Sequence, residues 1–251
     1  MVLKQGSETM YDALHIPAAC KVDNVIYKKL FYENGVLSAA DKKLFSEGID
    51  KITWRYSLKP DNCFVKPYKD ATREYGEVEL IEVALTRQAG ERRIAEIIMR
   101  TIPYPMLLVL QCENQTQLWA AHQRSSQNDS EKNVLEEPVC TGWMDSAEFG
   151  ELSVELDFQT LRHGNFYELY SDLVDRISIH NARELMHNSQ CIIHNCENLT
   201  GEQARELLAK RQATEAKIAA LRAELKRETQ FNRKVEINME IKILEKERQT
   251  L

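Results

Sequence analysis

The sequence has no uninterrupted apolar run approaching the roughly 18 to 20 residues that a bilayer-spanning helix needs. Its mean hydropathy of −0.47 agrees, and no membrane span is expected. The opening stretch MVLKQGSETMYDALHIP contains no apolar h-region, so no secretory signal is expected either. None of the six cysteines forms a Cys-x-x-Cys pair: Cys20, Cys63, Cys112, Cys140, Cys191 and Cys196 are scattered. A chain of this size builds its core without staples, so they read as reduced thiols of a cytoplasmic protein. Neither Gly-x-x-x-x-Gly-Lys nor Gly-x-Gly-x-x-Gly occurs, which removes the two common phosphate-cradling loops, and no cofactor is expected. A serine nucleophile elbow is also missing, and His15, His122 and His163 stand outside any motif.

What is present is the composition of a globular protein: 251 residues, 43% hydrophobic and 29% charged. That length suits one large domain, or one domain with an appendage. Charge is unevenly spread. Residues 201–251 hold twelve Lys and Arg against nine Glu, a net of +3, which leaves 21 basic against 30 acidic residues, or −9, for positions 1–200. An acidic body argues against a broad nucleic-acid face, because such binding rests on phosphate neutralisation. Only the C-terminal arm is mildly basic.

Ser38 followed by Asp41 forms a capping-box signature, and Leu44, Phe45 and Ile49 recur at helical spacing, which predicts a helix over 39–50. Residues 51–58 alternate apolar and polar, predicting a strand with Ile52, Trp54, Tyr56 and Leu58 on one face. Further strands are expected at 63–67 and 78–86, the latter from its β-branched run. A helix at 91–101 opens at Gly90 and is stopped by Pro103 and Pro105. A buried strand at 106–112 then turns through Glu113-Asn114-Gln115 into a hairpin partner at 116–122. Residues 123–137 read as an exposed loop, 139–144 and 152–158 as strands, and 166–177 as a helix. The expected fold class is therefore α+β: a mixed sheet with flanking helices over 1–198, followed by a helical arm over 199–251.

After Gly201 there is neither glycine nor proline. Leu207, Arg211, Thr214, Ile218, Leu221 and Leu225 step by fours and threes as a heptad seam, and Ala213, Ala216, Ala220 and Ala223 form a second stripe. Thr229-Gln230-Phe231-Asn232 breaks the phase, and Ile237, Ile241, Leu244, Arg248 and Leu251 start a new seam. The break predicts two helices folded back as a hairpin; one long helix pairing between chains is the competing model. In the hairpin, Lys226-Arg227 and Arg233-Lys234 flank the tip and concentrate positive charge where it can touch phosphate or an acidic partner surface. Ordinary ion pairs such as Glu206–Lys210 and Glu224–Arg227 are the structural alternative.

Three segments together resemble one family. They are Asp41-Lys42-Lys43-Leu44-Phe45 running into Ile52-Thr53-Trp54, the junction Ile102-Pro103-Tyr104-Pro105, and Gln230-Phe231-Asn232-Arg233-Lys234-Val235-Glu236-Ile237-Asn238. They look like the prokaryotic domain-of-unknown-function family numbered 4391, over nearly the whole chain. The resemblance implies a genomic setting beside large helicase-like ATPases and DNA methyltransferases, in restriction-like or phage-defence neighbourhoods; it implies no catalytic residues. It also leads one to expect an acid shortly before the Ile-Pro-Tyr-Pro junction, where this chain has Met99-Arg100-Thr101 with Glu96 as the nearest acid.

Two chemical constellations stand beside that reading. The element order helix, three strands, helix, strand over 39–112 follows the restriction-endonuclease-like core, in which an Asp from the second strand and an acid-x-Lys from the third hold Mg²⁺ and a water. Asp61, Glu79 and Glu82 are the candidate ligands, but no Lys follows either Glu at that spacing. Cys191, His194 and Cys196 lie within six residues, and His180, His187 and His194 step by sevens; zinc would need a fourth ligand, from Cys140 or His187. The structural alternative is a core edge with histidines on a solvated helix face. Trp54 and Trp143 read as core aromatics, since neither sits in a basic cluster.

The expectation is a cytoplasmic, non-catalytic accessory subunit whose arm docks a helicase-like ATPase or a DNA methyltransferase. Leu207, Ile218, Leu221, Leu225, Ile237, Ile241 and Leu244 are the expected partner seam. A degenerate metal-dependent nuclease and a self-assembling structural protein are the alternatives, and direct DNA contact is left open.

Overall fold

The computed structural model describes residues 10–125, 133–188 and 199–250. The chain divides into two compact units, Met1–Ile177 and Ser178–Leu251. The fold class is α+β, as expected, although the division falls inside a helix rather than at the composition boundary near residue 199.

The first unit is built on a six-stranded mixed sheet. Its strands are β1 (Lys21–Val25), β2 (Ile49–Leu58), β5 (Val78–Leu85), β6 (Met106–Cys112), β7 (Gln115–Ala120) and β10 (Val139–Cys140), adjacent in that order. Between β2 and β5 the chain makes the small separate hairpin β3 (Tyr68–Lys69) and β4 (Glu74–Tyr75), and β8 (Gln123–Ser125) pairs β9 (Asn133–Leu135) in another. All pairs in the main sheet are antiparallel except β5 with β6. A parallel pair needs a crossover, and α4 (Glu91–Thr101) supplies it. Gly90 caps that helix from the left-handed region at φ 74°, which a residue without Cβ enters at no steric cost.

Helices cover both faces of the sheet. Phe31 of α1 (Lys28–Asn34), Phe45 of α2 (Ala39–Gly48) and Ile94, Ile97 and Ile98 of α4 pack with Ile52, Ile81, Val83, Leu108 and Leu110 on one face. On the other, Phe149 and Leu152 of α5 (Ser146–Glu155) and Phe166, Leu169, Tyr170 and Leu173 of α6 (Phe166–Asn188) pack with Leu58, Val78, Leu80, Leu107 and Val109. The capping box at α2 forms as read: Ser38 Oγ accepts from the Asp41 amide at 3.2 Å, and the Asp41 carboxylate accepts from the Ser38 amide at 3.0 Å.

Four local expectations are corrected. Residues 63–67 are not a strand: α3 (Pro60–Cys63) occupies the start, and Phe64 follows at φ 60°. Leu152–Phe158 is not a strand either, because α5 runs through most of it. Asp145 accepts from the amides of Ala147 and Glu148, and Glu148 accepts from the Asp145 amide. That Asp-x-x-Glu box is a local helix signal, and Val154, inside the apparent alternation, is exposed. The 123–137 segment carries β8 and β9 at its ends. Finally, Ile52 and Trp54 face one side of the sheet while Tyr56 and Leu58 face the other. A register irregularity between Trp54 and Tyr56 inserts Arg55 as an extra residue, which shifts the phase of every later side chain by one.

The second unit contains α7 (Gly201–Arg227), opened by a Thr200–Gln203 capping box, and α8 (Phe231–Thr250), joined by residues 228–230. They pack against each other as the predicted hairpin, through a core of Ile218, Ile237 and Ile241 with Leu221, Leu225 and Leu244 beside it. Arg222 with Glu245 at 2.6 Å and Arg233 with Glu224 at 3.2 Å set the register across the pair. All three tryptophans lie in the first unit, so their fluorescence reports the body alone. We expect Ile241→Ala to cost about 2–4 kcal/mol. A core of so few residues cannot absorb that loss. Far-UV circular dichroism should lose helix at a temperature where tryptophan emission is unchanged, and a concerted loss of both signals would refute the separation.

Candidate functional site

The body carboxylates do not converge. Strand β5 is regular against β6 from Glu79 to Ala84, so Glu79 and Glu82 project to opposite faces of the sheet. Glu82 accepts a fork of two hydrogen bonds from Arg55, at 3.0 and 2.8 Å, and a third from the Tyr11 hydroxyl at 2.7 Å. Arg55 also pairs with Asp23 at 2.9 Å and lies 5.9 Å from the Tyr11 ring centre. This bidentate, hydrogen-bonded pair leaves the buried carboxylate no free geometry for a metal. Glu79 accepts from the Trp54 indole N–H at 2.5 Å and the Ser57 hydroxyl at 3.1 Å. Asp61 is exposed in the first turn of α3, and neighbouring Lys59 is held by Glu77 at 3.2 Å. No three His, Cys, Asp or Glu side chains come together to hold a metal among the described residues. Cys191, His194 and Cys196 lie outside them, and Cys20, Cys63 and Cys112 are free thiols.

Burial pushes the Glu79 carboxyl up to about 7; Glu77 adds to the shift, while Trp54, Ser57 and Lys59 oppose it. A raised carboxyl binds its proton more tightly in the folded state, so its contribution to stability is complete below about 4.5 and is lost as pH rises through 7.

A cleft of about 490 Å³ lies between the α1–α2 link and the end of α4, with Pro103 of the Ile-Pro-Tyr-Pro junction in its wall. Its polar groups are largely engaged at home. Arg93 pairs with Asp41 at 2.8 Å, Thr101 donates to the Ile97 carbonyl, and Gln123 donates to the carbonyls of Met99 and Tyr104. Glu96, the acid nearest the junction, pairs with Arg92 at 3.3 Å and Arg93 at 3.5 Å. Nearby, the Tyr170 hydroxyl accepts from the Ala121 amide at 3.0 Å and donates to the Met106 carbonyl at 2.8 Å, clamping the strand ends. Trp54 and Trp143 are partly buried on the face covered by α1, α2 and α4, as core aromatics.

The arm presents an apolar surface that its own hairpin leaves open. Six residues of the expected partner seam, Ile218, Leu221, Leu225, Ile237, Ile241 and Leu244, face each other inside the hairpin, so this set is its core, and Leu207 is half-buried. The alanine stripe at 213, 216, 220 and 223 is solvent-exposed. Missed from the sequence is a second apolar row on α8: Phe231 is 77% exposed, Val235 42%, Met239 62% and Ile243 67%. At four-residue spacing they form one stripe, roughly opposite Ile237 and Ile241 on the helical wheel. Exposed Glu236 and Glu240 line one side of it and Lys234, Lys242 and Lys246 the other. At the tip, Arg233 is taken up by Glu224 and Glu236, at 3.2 and 3.0 Å. The Glu224–Arg227 pair of the structural alternative is thereby replaced by one across the turn. Lys226, Arg227 and Lys234 form no ion pair among the described residues.

The family model described as Domain of unknown function (DUF4391) matches residues 14–247. The chain belongs to this family. No curated protein and no solved structure matches the chain. The DUF4391 match spans body and arm together, so the exposed row on α8 belongs to the family unit and is no appended tail. No described helix is long and apolar enough to cross a membrane, and the stripe is too short to do so.

Glu79→Gln keeps both hydrogen bonds, since the amide oxygen accepts from Trp54 and its nitrogen donates to Ser57. It should therefore flatten the fall in stability between about pH 4.5 and 7 and stabilise the body at pH 8 by on the order of 2 kcal/mol. Urea midpoints measured across that range decide it; an unchanged slope refutes the assignment. By contrast, Glu82→Gln leaves Arg55 underpaired at its buried end and should destabilise by about 3 kcal/mol at neutral pH, read from the same midpoints.

Proposed function

We propose that this DUF4391 protein is a cytoplasmic, non-catalytic accessory subunit whose arm docks a larger partner, a helicase-like ATPase or DNA methyltransferase of a restriction-like or phage-defence system. The observation carrying the reading is the exposed row Val235, Met239 and Ile243 on α8. Isolated exposed apolar residues need no explanation, but a row along one helix face with acids on one side and lysines on the other is what a partner helix recognises. The occupant that fits is an amphipathic helix of the partner, with its own basic and acidic flanks placed opposite. The setting beside ATPases and methyltransferases supports the partner class by association alone. The nuclease alternative loses support from the separation of Glu79 and Glu82, each engaged on its own face.

Because Leu221 is part of the hairpin core, its substitution tests arm folding and not docking. The informative variant is Met239→Glu combined with Ile243→Glu, both on the solvent face. Full-length wild-type chain captured from its host should recover an ATPase or methyltransferase, and the double variant should lose it while circular dichroism shows the arm intact. Equal recovery by both overturns the reading. A dimer that the double variant converts to monomer, with no ATPase or methyltransferase recovered, would transfer the stripe to self-pairing.

A further inference from the structure

We propose that the tip of the arm is a contact site for single-stranded nucleic acid. Residues 228–230 close the hairpin, so Lys226 and Arg227, in the last turn of α7, and Phe231 and Lys234, in the first turn of α8, lie at the same end of the arm. Phe231 is the most exposed of the large apolar residues of the arm, at 77%, and Lys226 and Arg227 at the same end form no ion pair among the described residues. Glu228, the acid within the turn, is committed to the backbone: its carboxylate accepts from the amides of Thr229 at 2.6 Å and Gln230 at 2.8 Å. Those two bonds, with the nearby charges of Arg233 and Lys234, hold it well ionised, below the usual carboxylate range.

A solvent-facing aromatic flanked by unpaired cations is the arrangement with which proteins hold single strands: the ring stacks on a base while the cations meet phosphates. An acidic protein surface would satisfy the cations but gives the phenyl ring nothing to stack on. A duplex hides its base faces. The acidic body, at −9 over residues 1–200, confines any such contact to the basic arm. The site does not depend on the docking reading, since Met239 and Ile243 lie two and three turns further along α8.

The test is fluorescence anisotropy of a labelled oligo-dT strand with the full-length chain, from about 20 to 200 mM salt. With about three phosphates neutralised, log K should fall against log salt with a slope of about −2. Combining Lys226→Ala, Arg227→Ala and Lys234→Ala should weaken binding at least 10-fold at low salt and bring the slope near zero. Phe231→Ala should weaken binding about 5- to 100-fold and leave the slope unchanged, because stacking releases no counterions. Glu224→Gln leaves Arg233 with only Glu236, and should tighten binding and steepen the slope by up to about 0.7. The Met239→Glu, Ile243→Glu variant should still bind the strand, which separates this site from partner docking. No binding at the lowest salt, or wild-type binding by the triple variant, overturns the proposal. So does equal affinity for polyglutamate combined with a silent Phe231→Ala, which would assign the tip to an acidic protein.

Discussion

Strand β5 carries the constraint on which the body depends. It lies between β2 and β6 with both faces under helices, so its side chains are almost all buried. Two of them are carboxyls, and alternation sends one to each face. A buried acid is tolerated only if it is ion-paired and hydrogen-bonded, or if it takes up a proton. The chain uses both solutions. Arg55, set aside as the extra residue of the β2 irregularity, reaches Glu82 together with Tyr11, while Glu79 has Trp54 and Ser57 and a carboxyl pushed up to about 7. The same residue that shifts the phase of β2 thus satisfies the buried charge next to it.

This explains why a nuclease-like element order yields no nuclease-like centre. Helix, strand and crossover occur where expected, but the strand expected at 63–67 is replaced by a one-turn helix and an extended link outside the sheet. The acid anticipated from that strand is exposed in that short helix, and the two on β5 point apart. Element order describes a path through the fold; chemistry requires several side chains at one point.

In the arm, a partner seam and a hairpin core draw on the same residues. A heptad row cannot say whether it meets another chain or its own return helix, and the break at 229–232 settles that in favour of the return. Once Ile237 and Ile241 are consumed internally, what faces solvent is a four-residue row that heptad reading passes over, because its period drifts around the helix. Phe231, Lys226 and Arg227 are likewise left exposed at the tip of the arm.

Local signals were the legible part. Ser38–Asp41 capping, the Gly90 start of α4, the proline stop after it, the β-branched run of β5 and the phase break in the arm all act within a few residues, so they determine elements from sequence alone. The Asp145–Glu148 box is equally local, and it starts a helix where the apparent alternation of 152–158 suggests a strand. Family membership was legible too, because three motifs keep their order along the chain. Tertiary structure alone decided which face each β2 side chain takes, which carboxylates meet and which apolar row is left to solvent. The physical reason is the same in each case. One inserted residue reverses a strand's phase, and only packing between distant segments decides which of two apolar rows is buried.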